Sequence, residues 1–134
     1  GPGSNIVERC YAGEPVFRGN KPVYRIHVDD LTGIIGAVVD LDIVDRGIGG
    51  AAFNVVDNGA ASQDELLNWL MSQAKFAAVM GDGFLDDPER FRAKRLDAVD
   101  ATNEERIVSN MALAMELGYQ LRFATYQQGL VEFL

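Results

Sequence analysis

Cysteine, histidine and long apolar runs are scarce in this 134-residue chain, and each shortage removes a class of function. Cys10 is the only cysteine. An intramolecular disulfide and a multi-cysteine zinc site are therefore excluded, and the count is compatible with a cytoplasmic location. Within "IVERCY" the thiol reads as a small buried apolar group rather than a nucleophile. No uninterrupted apolar stretch reaches the roughly 18 residues of a membrane-spanning helix, so no membrane partner is expected. Asn5 onward carries no charged-then-apolar leader pattern, and Gly1–Ser4 reads as the remnant of a cleaved expression tag. Also missing are a phosphate loop ending in Gly-Lys-Ser/Thr, a dinucleotide glycine fingerprint and a nucleophile elbow. No cofactor is expected.

Positive charge is short in one region above all. Between Asp29 and Glu65 stand eight carboxylates against Arg46 alone, a balance of −7 within a whole-chain charge of −8. Such a segment repels the phosphates of DNA and RNA and attracts a basic protein surface. What the chain does have is a 48% apolar composition with seven Phe, four Tyr and one Trp, enough for residues 5–134 to form a single compact domain.

Periodicity predicts an α+β fold: a mainly antiparallel sheet of N-terminal strands joined by C-terminal strands, packed against about three helices. "NIVERCYAG" reads as a strand whose buried face is ambiguous. "PVYRIHV" alternates more cleanly, with Tyr24, Ile26 and Val28 inward. In "IIGAVVDLDIV" the odd positions Ile35, Ala37, Val39, Leu41 and Ile43 are all apolar and expected to be buried, which puts Asp40 and Asp42 on the opposite face. "DRGIGG" would turn this strand into "AAFNVVD", with Ile43 opposite Phe53 and Leu41 opposite Val55.

Helices follow. Ser62-Gln63-Asp64-Glu65 forms a capping box ahead of an apolar stripe that should end at Gly81. Asp87-Pro88 opens a second helix. Thr102-Asn103-Glu104-Glu105 caps a third that should stop at Gly118. "YQLRFATY" and "GLVEFL" read as the closing strands. In the second helix Arg90, Arg92, Lys94 and Arg95 are interleaved with five carboxylates between residues 86 and 100, which favours an ion-paired surface over a nucleic-acid grip.

The candidate site is an acidic edge of Asp40, Asp42 and Asp45, extended by Asp29 and Asp57, that steers a basic partner. The expected function is that of a non-catalytic protein-binding or regulatory module, one version of which is an inhibitor covering a basic partner surface. The alternatives are a small ligand-binding domain or enzyme using His27 and nearby Asp residues, and a structural subunit acting as an oligomer. His27 and Asp29, two apart on a strand, would be the acid–base pair in the enzymatic reading. Asp40 and Asp42 would be the metal ligands, though Mg²⁺ or Ca²⁺ needs further oxygens that the spacing does not supply. A homodimer would set the basic helix against the acidic strands of a second copy.

Overall fold

Ser62 accepts a hydrogen bond from the Glu65 amide at 3.1 Å, and the Glu65 carboxylate returns one from the Ser62 amide at 2.6 Å. This reciprocal cap is in place as the sequence predicts it. Most of the strands are not. The computed structural model describes residues 5–40, 52–92 and 108–134, and these are mainly helical. Their strands are two residues long and pair into two separate ribbons. The mainly antiparallel sheet expected from the alternation is therefore corrected to a helix-rich fold with small β pairings.

The described chain separates into two compact units, one of Gly1–Val23, Ala61–Arg106 and Leu130–Leu134 and the other of Tyr24–Ala60 and Ile107–Gly129. In the first unit, α1 (Ile6–Tyr11) replaces the predicted "NIVERCYAG" strand. The Asn5 side chain caps it, accepting from the Glu8 amide and donating to the Glu8 carboxylate. Val7 and Cys10 are its buried residues. They lie three apart, a helical spacing, which explains why neither strand parity was purely apolar.

Strand β1 (Val16–Phe17) pairs in parallel with β4 (Phe91–Arg92). Strand β2 (Pro22–Val23) pairs antiparallel with β3 (Ala61–Ser62). Of "PVYRIHV", only this first pair of residues is strand.

From Ser62, α3 (Gln63–Ser72) buries Leu66, Leu67 and Leu70. A second helix, α4 (Ala74–Met80), follows after a break at Gln73, which is extended at φ −84° and ψ 119°. One continuous helix was expected here. Two local side chains compete at the end of α3, since Ser72 Oγ and Gln73 Nε2 both donate to the Trp69 carbonyl. Such bonds offer the backbone an alternative to continuing the helix. The break leaves α4 with a fully buried Phe76, which meets Tyr11 at 5.6 Å and the edge of Phe84 at 5.9 Å. Gly81, at φ 79°, ends α4 as expected.

Asp87 does cap the next segment, accepting from the Glu89 amide at 3.0 Å. That segment is a 3₁₀ turn, Pro88–Arg90, which leads directly into β4. The Thr102–Glu105 cap lies outside the described residues.

In the second unit, α2 (Val28–Asp40) occupies the start of the longest predicted strand. Asp29 and Asp30 sit in its first turn, where carboxylates favour the helix dipole. The buried side is Asp30 and Ile34, four apart, while Ile35 and Val39, which the strand reading placed inside, are exposed. Residues 41–51, and with them the predicted hairpin partners Leu41 and Ile43, lie outside the described residues. The following residues 52–57 have no regular structure.

Helix α5 (Met111–Met115) and helix α6 (Tyr126–Leu130) complete this unit, with residues 119–125 between them in irregular chain rather than a strand. "GLVEFL" likewise ends α6 and enters a 3₁₀ turn, Val131–Phe133. Gly118 takes φ 69° after α5, and the Tyr119 amide returns to the Leu113 carbonyl at 2.9 Å. Backbone bonds from Asp57 to the Arg25 carbonyl and from Asn58 to the Ala124 carbonyl tie the irregular strands of chain together.

Candidate functional site

Helix α2 places every sequence-predicted site residue that the structure describes except Asp57. His27 immediately precedes the helix, and its Nδ1 accepts from the Asp29 amide at 3.2 Å. The histidine ring thus caps the first turn of the helix through Nδ1. Its ring packs on Phe123 with centroids 3.9 Å apart, and a Cβ on Gly129 would come within 2.9 Å of its Cδ2. The link between His27 and Asp29 is therefore an amide-to-ring bond, not the imidazole–carboxylate bond of an acid–base pair. The Asp29 carboxylate is exposed and lies 3.9 Å from Arg122 Nη1.

Asp30 is the residue that sequence reasoning passed over. Its carboxylate is fully buried and accepts from the Tyr119 hydroxyl at 3.1 Å, the Arg122 amide at 2.8 Å and the Phe123 amide at 2.9 Å. Burial, and then the Asp30 carboxylate, push the Tyr119 phenol above its ordinary range, so it stays a donor. Gly33, one turn along α2, leaves the space that this phenol fills. Nothing local marks Asp30, because its three donors lie 89 to 93 residues further along the chain.

Asp57 is also buried, with Oδ1 accepting from the Gly59 amide at 3.0 Å in an Asx turn. Burial raises its carboxyl above the usual value, opposed by the Gly59 amide and by Arg25. It adds no charge to an outer surface. Asp64 is bonded to Arg18 at 2.9 Å, and Glu65 is used in the capping box, which lowers its carboxyl. Asp42 and Asp45 lie outside the described residues. Asp40 lies exposed on α2 rather than on a strand, and its predicted metal partner Asp42 lies outside the described residues. Among the described residues no group of three His, Cys, Asp or Glu is placed to hold a metal ion.

Exposed carboxylates at Asp29 and Asp40 therefore remain at the two ends of α2. Between them runs a feature the strand reading hid. Val28, Leu31, Ile35 and Val39 are 47%, 37%, 56% and 75% exposed. At 100° per residue they fall within about 80° of arc along roughly 16 Å of helix. On the same wheel Asp29 and Asp40 lie about 120–140° from the centre of the stripe on one side, and the buried Asp30 and Ile34 about 100–140° from it on the other. The result is a helix with an apolar stripe that the described residues leave exposed, beside the buried side that holds Asp30 and Ile34. Cys10 belongs to the other unit and takes no part, since burial pushes its thiol up to about 11.

Among the described residues no helix is long and apolar enough to cross a membrane. No protein-family model, no curated protein and no solved structure matches the chain.

Proposed function

We propose that this is a non-catalytic, acidic protein-binding module of a regulatory kind, and that the outer face of α2 takes a basic amphipathic helix from a partner protein. The observation that carries the reading is the exposed stripe Val28, Leu31, Ile35 and Val39. Four aliphatic side chains at helical spacing supply the desolvated centre of a helix-against-helix contact. Asp40, and Asp29 beyond its contact with Arg122, favour cations on the incoming helix. A second copy fits less well, because two such faces would bring these carboxylates towards one another. The histidine-based alternative loses its support, because the Nδ1 and one ring face of His27 are already engaged.

A synthetic amphipathic helix of Leu and Lys tests this, with a Leu and Glu counterpart as the control. The Lys peptide binds and the Glu peptide does not. Ile35→Glu with Val39→Glu weakens binding at least tenfold, with unfolding midpoints near those of the wild type because both side chains are exposed. Equal affinity for both peptides, or binding untouched by the double variant, overturns the reading.

A further inference from the structure

The first unit contains an open cleft of about 590 Å³ whose chemistry is opposite to that of the acidic segment. Arg9, Arg18 and Lys21 line it, and no carboxylate among the described residues does. Its apolar wall includes Val16, Phe17 and Val23. In a chain of net charge −8, the charged residues that line this cleft are all cations.

The two guanidinium groups are held in place before any ligand arrives. Arg9 donates through Nε to Glu14 at 3.0 Å and through Nη2 to the Pro15 carbonyl at 3.2 Å. Arg18 donates through Nε to Asp64 and through Nη1 to the Leu85 carbonyl, both at 2.9 Å, and stacks 5.0 Å from the Phe91 ring centre. Arg9 Nη1 and Arg18 Nη2 make no hydrogen bond to a described residue. Each arginine thus keeps a donor in hand while its rotamer entropy is already lost to the protein, which lowers the cost of ordering on binding. Glu14 and Asp64 neutralise part of this charge, so the cleft suits a single anionic group better than a polyanion. The volume lies in the usual range for small-molecule sites, about 300–1,000 Å³.

We infer that this cleft binds an amphipathic monocarboxylate, with the carboxylate at Arg9, Arg18 and Lys21 and an acyl chain along Val16, Phe17 and Val23. The site is independent of the α2 face and lies in the other unit.

Decanoate is the probe, followed by amide chemical shifts of the whole chain, with acetate and decanol as controls for charge without chain and chain without charge. The expected result is saturable shifts at residues 16–23 with decanoate, little from acetate, and binding by decanol at least tenfold weaker. Phe17→Glu, at a side chain already 45% exposed, places a negative charge on the wall and weakens decanoate at least tenfold. Lys21→Glu does the same from the exposed rim and serves if the first variant folds poorly. Decanoate shifts confined to α2, equal binding of decanol, or no saturable binding overturns the assignment. Loss of decanoate binding at residues 16–23 leaves the basic-peptide contact at α2 untouched.

Discussion

Gly33 and Gly36 lie three residues apart on α2, and the same substitution should have opposite effects at the two. A Cβ at Gly33 would overlap the Tyr119 phenol, whereas one at Gly36 would meet nothing within 4 Å. Gly33→Ala should destabilise the protein by about 1–3 kcal/mol through overpacking. Gly36→Ala should stabilise it by about 0.5–1 kcal/mol through helix propensity. Urea unfolding of the two variants measures both signs, and similar values would mean that Tyr119 is not packed on Gly33. Asp57 gives a pH signature. Its raised carboxyl means that the native state binds this proton more tightly than the unfolded chain. Its contribution is therefore most favourable below the unfolded value of about 3.9 and is lost as pH rises through the native one. Asp57→Asn keeps an oxygen acceptor for the Gly59 amide and cannot ionise. Its stability relative to wild type should rise from about pH 3 to about pH 7. Cys10, a protonated thiol at neutral pH, should react with a thiol reagent orders of magnitude faster in denaturant than in the native protein.

Helix ends were the most legible elements. Ser62, Glu65, Asp87 and Gly81 act within a few residues of themselves, and each does locally what its side chain or backbone freedom allows. Ser62→Ala should cost about 1 kcal/mol, read from the unfolding midpoint. Glu65, lowered by its bonds to Ser62, should give a pH dependence opposite in sign to that of Asp57: its support is present above the ordinary Glu value and is lost as pH falls through the native one. The break at Gln73 was harder to foresee, because a bond from a side chain to the Trp69 carbonyl leaves no trace in hydrophobic spacing. The assignment of α2 failed for a related reason. In "IIGAVVD" nearly every position is apolar or small, so a strand of period 2 and a helix of period 3.6 fit the same letters. The exposed set Val28, Leu31, Ile35 and Val39 mixes the two strand parities and follows the helical period, which distinguishes the helix.

At the scale of the whole molecule, net charge and charge placement part company. The acidic segment was evident from composition, yet its carboxylates do different work: Asp30 and Asp57 are satisfied inside, Asp64 pairs with Arg18, and Asp29 and Asp40 face outward. If those two steer the basic helix, its association rate should fall steeply as ionic strength rises, since the screening length is only about 8 Å near 0.15 M salt. The dissociation rate, governed by the apolar stripe, should change much less. Stopped-flow mixing at several salt concentrations separates the two, and a salt-independent association rate would remove electrostatic steering from the proposal.

By itself the sequence determined the local capping chemistry, the apolar stripe after Ser62, the excess of carboxylates and the lack of a disulfide. These depend on residue identity and on neighbours within a turn or two. Tertiary structure alone decided that α2 is a helix, that the described residues bury its Asp30 and Ile34 side and leave Val28, Leu31, Ile35 and Val39 exposed, and which acids are buried. The physical reason is one of range. The donors that hold Asp30 come from Tyr119, Arg122 and Phe123, close in space and remote in sequence. A carboxylate can be buried only where such donors converge, and no local pattern records that convergence.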